Sequence, residues 1–357
     1  MATPDDGTRL TFAEEVKSAV TARAALLVIG VLGLMVAFIT SYTGAFHRPK
    51  PDRMALAVVA PTQVRGELLK KLDHLPGTPL DPRPAASEAA ARRQVEHREI
   101  DAALIVQPRG TTDRLLVASG GGAALSQAVE AVVTAVEKQQ QRTVHVEDVA
   151  PAGAGDSRSL SSFYLVVGWC VGGYLCAAIL AISAGARPAN LHRAVIRLAA
   201  LALYAIAAGL AGAIVVGPVL DALPGSLFGL WGLGALIVFA VGATTLAFQG
   251  LLGIIGIGLA ILVIVVFGNP SAGGAYPYPL LPPFWRAIGP ALPPGAGTWA
   301  ARSITYFHGQ ALTGPLLVLS AWAVGGVLIT LILAALHRTA DERSGGLTAD
   351  GGKRLPA

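Results

Sequence analysis

Six uncharged apolar stretches divide this chain into one isolated segment near its start and five that crowd its second half. Crossing a hydrocarbon core about 30 Å thick takes roughly 20 apolar residues at 1.5 Å rise per residue. The stretches that meet this requirement are 24–46, 163–184, 198–220, 228–248, 251–268 and 314–336. The pattern predicts an all-α polytopic membrane bundle with six transmembrane helices, the last five of which form one domain over residues 161–336.

The polar segment between the first two spans, residues 47–160, alternates strand-like and helix-like patterns. Short apolar runs bounded by turn residues predict strands, and 3.6-residue periodicity predicts helices between them. Strands are expected at 54–59, 101–106, 114–118 and 143–149, helices at 63–72, 86–97 and 123–141, and a proline-rich turn at 76–84. We therefore expect a small α/β extracytoplasmic domain between transmembrane helices 1 and 2.

Composition and charge agree with a membrane protein and indicate its orientation. Hydrophobic residues make up 53% of the chain and charged residues only 14%, against about a quarter in soluble domains. The basic residues that flank the spans fall into three groups, which are Arg9, Lys17 and Arg23, then Arg187, Arg193 and Arg197, and finally Arg338, Arg343, Lys353 and Arg354. The positive-inside rule places all three groups, and both termini, in the cytoplasm of a multi-pass cell-membrane protein. No nucleic-acid partner is expected.

The first apolar stretch has two interpretations, a cleaved signal peptide or an uncleaved membrane anchor. Thr43-Gly44-Ala45 is typical of a cleavage site, but the stretch exceeds 20 residues, whereas a signal core has about 7 to 15. Acidic residues also precede it, so we expect an anchor. Ahead of it, residues 1–23 are predicted to form a cytoplasmic amphipathic helix with Phe12, Val16 and Val20 on one face. A simple extension of the first span is the alternative.

Residues 269–313 are rich in proline and aromatic side chains, which indicates an ordered outer re-entrant segment. Short helices at 284–288 and 298–306 are expected to enter the outer leaflet. The candidate site residues here are Phe284, Trp285, Pro293, Pro294, Trp299 and Arg302. In the second span, Gly168 and Gly172 form a GxxxG pair that predicts close helix packing, either between two copies or within one chain. Residues 337–357 are predicted to be a cytoplasmic tail.

The sequence offers little for catalysis. It contains no phosphate-binding G-x-x-x-x-G-K-[ST] loop, no cluster with metal-ligand spacing and no G-x-S-x-G elbow. The charges of Arg98, Glu99 and Asp101 are interpreted as a solvated cluster before a strand. We therefore expect that the chain is not an enzyme. It should have no catalytic residues and bind no metal or cofactor of its own.

The spans also lack the internal ionisable residues that ion-coupled carriers use. Energy for any transport must then come from a partner, and an ATPase bound on the cytoplasmic side would supply it. The candidate docking loop joins the second and third spans and contains Arg187, Pro188, Leu191, His192 and Arg193. Its basic residues are equally consistent with a plain positive-inside anchor.

Several features resemble the ABC-2 type transporter permeases, particularly the group similar to the phage infection protein of bacterial membranes. The first of these features is the layout, which has one span, a large outer domain and five further spans. Two sequence stretches are also similar to that family, namely Ala91-Arg-Arg-Gln-Val95 followed by residues 100–106, and the run from Pro282-Pro-Phe-Trp285 to Leu292-Pro-Pro-Gly295 with residues 301–306 after it. Val106-Gln107-Pro108 departs from the family's Ile-Pro ending.

The resemblance implies a homodimer or heterodimer of permeases joined to ABC-type ATPase subunits, which use ATP. It implies that residues 11–20 form a connecting helix and that residues 187–193 form the ATPase-coupling loop. The complex would move an amphiphilic or lipid-linked substrate outward in contact with membrane lipid. The alternatives are a non-transporting envelope receptor or scaffold whose outer domain binds a partner, and a subunit that regulates membrane insertion or cell-wall assembly.

Overall fold

The chain is mostly helical and carries a small mixed sheet. The computed structural model describes residues 11–12, 21–185 and 190–350. The elements of the first part are α1 Ala22–Phe46, β1 Met54–Val59, α2 Thr62–Asp73, β2 Leu80–Pro84, α3 Glu88–Glu96, β3 Ala102–Ile105, β4 Thr112–Val117, α4 Ala123–Gln139 and β5 Thr143–Asp148. Those of the second part are α5 Ser161–Ala184, α6 Leu191–Ile214, α7 Leu227–Leu252, α8 Ile255–Ser271, α9 Pro283–Ile288, α10 Pro293–Tyr306 and α11 Thr313–Asp350.

Residues 47–160, which we call the sheet domain, are built on a five-stranded sheet in the order β2-β1-β3-β4-β5. All neighbouring strands are parallel except β3 and β4, which are antiparallel. The alternating side chains of the strands face two layers: α2 and α4 cover one side and α3 the other. Leu56, Leu104 and Leu115 are fully buried in the first layer. The prediction of a small α/β unit is confirmed.

β2 corrects the expectation that residues 76–84 form only a proline-rich turn. The strand pairs in parallel with β1, so that Pro82 lies opposite Leu56 and Pro84 opposite Val58. Because β2 is the edge strand, a missing proline N–H costs little on its unpaired side. The same prolines protect this edge from pairing with another strand.

Five of the described helices are long and apolar enough to cross a membrane. They are Ala24–Phe46, Ser161–Ala184, Leu191–Val219, Leu227–Leu252 and Thr313–Leu336. They correspond to five of the six predicted stretches. α7 lies at the centre, in contact with α5, α6 and α11. α11 continues beyond its apolar part to Asp350, through the segment predicted to be a tail.

Glycines let α7 approach its neighbours closely. A Cβ atom added to Gly209 of α6 would lie 2.5 Å from the backbone nitrogen of Ala235, and one added to Gly173 of α5 would lie 2.7 Å from the carbonyl oxygen of Val238. Backbones in such contact gain dispersion energy that does not depend on water. Gly172 is less tightly packed, with its Cβ position 3.1 Å from the Tyr204 hydroxyl, and no atom lies within 4 Å of that of Gly168.

The stretch 251–268 does not form a span with those bounds. α7 continues to Leu252, Gly253 turns the chain with a φ of 64°, and α8 begins at Ile255. α8 has 17 residues, or about 25 Å at 1.5 Å per residue, which is short for a span. The hydrophobic pattern does not mark this helix boundary, because a single glycine in the left-handed region makes the turn and no polar residue lies beside it.

α8 runs parallel to the second half of α1. Leu34 Cδ1 lies 3.8 Å from the Cβ position of Gly258, the Ser41 hydroxyl donates to the Val266 carbonyl, and the rings of Phe46 and Tyr276 are 5.7 Å apart. The residue numbers of the contacting pairs rise together in α1 and α8, so both helices run towards the sheet domain. Residues Leu262–Gly268 of α8 are π-helical, a feature that often marks functional positions.

Residues 272–312, which we call the junction segment, connect α8 to α11 and lie against the sheet domain. They contain α9 and α10, which match the two short helices expected there, although α10 begins earlier, at Pro293. Proline is well suited to the first helical turn because its N–H would have no helical partner. α10 contacts α5, α7 and α11, and it also contacts Ser119–Gly121 of the sheet domain.

Candidate functional site

The sheet domain and the membrane helices meet in a polar junction formed around two arginines. Arg98, just beyond α3, donates from Nη1 to the Trp299 carbonyl and to the Ser303 hydroxyl, both at 2.8 Å. Its guanidinium carbon lies 3.6 Å from the centre of the Trp299 ring and 4.7 Å from that of Phe307. Such stacking suits a planar cation better than an ammonium group.

The backbone at Arg98 supports this contact. Its φ of 61° is in the left-handed region, where a helix C-terminus usually has glycine, and its N–H donates to the Val95 carbonyl. A residue with a side chain is disfavoured there and remains only where other contacts hold it. The stacking on Trp299 is the contact that compensates.

Arg302 of α10 is buried and connects three chain segments. Nη1 donates to the Gly273 carbonyl at 2.7 Å, and Nη2 donates to those of Gly274 and Ser159 at 2.8 Å. Burial lowers the pKa of Arg302 to about 10 and that of Arg98 to about 9. Both remain charged at neutral pH, so the junction holds two desolvated cations.

Two carboxylates balance these charges from the sheet domain. Asp101 accepts from the Ala55 N–H at 2.7 Å, while Asp156 accepts from the Leu160 and Ser161 N–H groups at 2.8 Å and from the Tyr306 hydroxyl at 2.7 Å. Burial raises the pKa of Asp101 to about 6, against the lowering effects of the Ala55 hydrogen bond and the charge of Arg98.

The cavity inside the junction is small. Its volume is about 60 Å³, and Arg98, Asp101, Tyr278 and Arg302 are among its lining residues. Since one water needs about 10–15 Å³ of such space, the cavity has room for a few waters but not for an organic substrate. The junction is therefore a structural clamp between the sheet domain and the bundle.

A much larger cavity, of about 740 Å³, lies between α5 and α6 in the apolar part of the molecule, and we call it the lateral groove. Gly168 forms an open part of its wall, with no atom within 4 Å of its Cβ position, and the Cβ position of Gly172 lies 3.1 Å from the Tyr204 hydroxyl. Trp169 forms the floor and donates from its indole to the Ala208 carbonyl at 3.2 Å. No charged side chain lines it, so the groove suits an apolar chain.

The predicted site residues fall into separate places. Trp299 and Arg302 come together in the clamp, and Pro293 and Pro294 are buried in the first turn of α10. Phe284 and Trp285 lie instead beside Phe267 of α8, at ring distances of 6.3 and 6.2 Å. Gly168 and Gly172 both line the lateral groove, and Gly172 also lies close to Tyr204 of α6.

The predicted coupling loop lies at the end of the bundle away from the sheet domain. Leu191, His192 and Arg193 are exposed and form the first turn of α6, where the Asn190 side chain accepts from the Arg193 N–H at 2.9 Å. Arg187 and Pro188 are outside the described residues, as are Val16 and Val20 of the predicted connecting helix. Phe12, the described member of that face, is exposed.

The sheet-domain residues that contact the junction segment were not identified from the sequence. The interpretation of Arg98 and Asp101 as a solvated cluster is wrong, because both line the junction cavity. Asp156 carries no signal in the sequence, and Tyr306 is expected only as the end of the short helix 298–306. The aromatic residues of the junction segment were the available signal, since an exposed arginine on the sheet domain is a natural partner for them.

The raised pKa of Asp101 predicts that acid stabilises the junction. The folded state holds the Asp101 proton more tightly than the unfolded chain does, so stability rises as pH falls through about 6. We expect a gain of about 1 kcal/mol between pH 7.5 and pH 5 from this group, and Asp101→Asn should remove that part of the pH dependence. Chemical unfolding of the detergent-purified protein at both pH values measures it.

Glu137 provides the control, because burial also raises its pKa, to about 7, at a site away from the junction. Glu137→Gln should leave the contribution of Asp101 intact. An Asp101→Asn protein whose stability changes with pH as much as that of the wild type would contradict the junction geometry.

No family model, no curated protein and no solved structure matches this chain. The similarity to ABC-2 type permeases therefore depends on the residues quoted for it and stays a prediction.

Proposed function

We propose that this chain is the membrane-spanning permease subunit of an ATP-driven exporter of the ABC-2 type. It moves an amphiphilic or lipid-linked substrate outward, and a separate ABC-type ATPase subunit supplies the energy. The single observation that carries this proposal is the lateral groove. Its volume of about 740 Å³ falls in the range of about 300–1,000 Å³ for ligand pockets, and its lining is apolar.

The groove favours a substrate with a long apolar part. It lies between two apolar helices, where an acyl or prenyl chain could enter sideways from the bilayer without crossing water. The tyrosines Tyr164 and Tyr204 at its rim are exposed and offer hydroxyl groups to a polar part of the same molecule. An ion or a small polar solute would find few partners in such a cavity.

Six membrane crossings belong to this proposal, the sixth being α8. The parallel contacts between α1 and α8 support it, because a helix that follows α1 from Leu34 to Phe46 travels through the same depth of the membrane. An even number of crossings puts the start of α1 and the end of α11 on one side. We assign that side to the cytoplasm of a cell-membrane protein and the sheet domain to the outside.

The ATPase is proposed to dock at the turn between α5 and α6, and a second permease copy, identical or related, completes the transporter. Arg193 is exposed at this turn, whereas Arg197 is buried and donates to the Ala184 carbonyl at 2.5 Å. That bond fixes the end of α5 to the start of α6. A push on this turn would therefore move both walls of the lateral groove together.

The alternative function, an envelope receptor or scaffold, is favoured by the exposed edge of the sheet. β5 is an end strand of the sheet and is paired on one side with β4, while the clamp holds the whole domain in a fixed position. A partner strand could pair with that edge. This function needs no ATPase, which separates the two candidates.

Cysteine labelling tests the six crossings. Cys170 and Cys176 are first replaced by alanine, and single cysteines are then introduced as Lys70→Cys in α2, His192→Cys at the start of α6 and Leu252→Cys at the end of α7. A membrane-impermeant maleimide added to intact cells should label only the first, and all three should react once the membrane is opened. Labelling of Leu252→Cys from outside would show that α8 does not cross.

Association with an ATPase tests the transport function. The tagged chain, purified in mild detergent from its native cells, should carry ATP hydrolysis that Arg193→Glu reduces severalfold, because the charge reversal removes a docking contact worth about 1–3 kcal/mol. Gly168→Leu, which fills the lateral groove, should keep the ATPase bound and slow its turnover.

Matched controls are available for both variants. Arg93→Glu makes the same charge change at an exposed position of α3, and Gly232→Leu adds the same side chain at an open position of α7. Both should behave like the wild type. If the purified wild-type protein hydrolyses ATP no faster than the Arg193→Glu variant, the exporter function is excluded and the receptor function is favoured.

A further inference from the structure

A basic cavity, which we call the headgroup pocket, lies between the end of α1 and the start of α9. Its volume is about 310 Å³, and its lining includes Arg48, Lys50, Asp52 and Arg286. This size is at the lower end of the range for ligand pockets, about 300–1,000 Å³. The charged groups come from two parts of the chain, which are residues 48–52 at the start of the sheet domain and α9.

The charges in the headgroup pocket do not balance. Arg286 donates from Nη2 to the Asp52 carboxylate at 2.7 Å and to the Leu281 carbonyl at 3.2 Å, so this pair is neutral. Arg48 and Lys50 are exposed and form no hydrogen bond or ion pair with any described side chain. Two positive charges are therefore free to bind an anion.

Arg286 adds an unused donor. Its Nε–H is buried and has no hydrogen-bond partner among the described residues. A buried N–H without a partner costs free energy, and a ligand oxygen in the cavity would recover it. The pocket thus combines two free cations with an N–H group that lacks an acceptor.

The position of the headgroup pocket is that of a membrane surface. It directly follows the 23 apolar residues of the candidate span in α1, and aromatic rings surround that level. Phe46 contacts Tyr276 on one side, while Phe284 and Trp285 of α9 contact Phe267 of α8 on the other. Phe284 is 55% exposed, as an aromatic residue at the lipid interface would be.

We propose that this pocket binds the phosphate headgroup of an anionic phospholipid in the leaflet on the sheet-domain side. Arg48 and Lys50 bind the phosphate oxygens, Arg286 contributes its free N–H, and the acyl chains lie beside Phe284. A soluble phosphate offers the same oxygens but gains nothing from the aromatic surface. The bound lipid would join α1, the sheet domain and α9 at the interface, independently of whether the protein transports anything.

Native mass spectrometry of the full-length protein in detergent tests this site. The protein is titrated with dioleoyl phosphatidylglycerol and, separately, with dioleoyl phosphatidylcholine. We expect the first lipid to bind roughly tenfold more tightly, and Arg48→Gln/Lys50→Gln to weaken its binding by roughly 10- to 30-fold while binding of the second is unchanged. The unchanged binding of phosphatidylcholine shows that the variant is folded.

Two further variants sharpen the test. Arg48→Lys/Lys50→Arg keeps both charges and should retain most of the binding, whereas Arg65→Gln/Lys70→Gln removes an arginine and a lysine from α2 and should bind like the wild type. The proposal is overturned if Arg48→Gln/Lys50→Gln binds phosphatidylglycerol normally, or if the two lipids bind equally. Displacement of the lipid by millimolar inorganic phosphate would also overturn it and would indicate a site for free phosphate.

Discussion

The buried guanidinium of Arg302 is the interaction on which the arrangement of this molecule depends. Its donors bind carbonyl groups from the end of the sheet domain, at Ser159, and from the chain that leaves α8, at Gly273 and Gly274. A buried cation is costly unless hydrogen bonds to its N–H groups offset the desolvation, and here three carbonyl groups do so, although the Nε–H has no partner among the described residues. The cost explains why the junction segment, although rich in proline and glycine, takes one fixed path between the sheet domain and the helices.

This constraint links the parts of the molecule that the proposed function requires. The clamp fixes the sheet domain to α10, and α10 packs on the central helix α7 and on α5, which forms one wall of the lateral groove. At the other end of the same helix, Arg197 fixes the turn between α5 and α6. A change in the angle between α5 and α6 would therefore act on the groove while the domain end stays in place.

Much of the architecture could be predicted from hydrophobic patterning, because long apolar runs and alternating strands have few other solutions. Where the sequence-based predictions differ from the structure, each difference has a particular physical cause. Gly253 turns the chain inside an unbroken apolar run, and the prolines of β2 are tolerated because that strand lies at an edge. The role of Arg98 depends on Trp299, about 200 positions away, and local sequence carries no signal of such a pairing. The openness of the wall at Gly168 likewise depends on the angle between two helices.

Hydrogen exchange of the full-length protein in detergent tests the central role of Arg302 most directly. Amides of residues 272–307 should exchange in the wild type as slowly as those of β3, and Arg302→Gln should accelerate them by roughly 100-fold, because a lost buried charge contact costs about 3 kcal/mol. β3 should stay protected, and Arg158→Gln, at the exposed neighbour of Ser159, should change neither region. A junction segment that exchanges freely in the wild type, or that is unaffected by Arg302→Gln, would contradict the account.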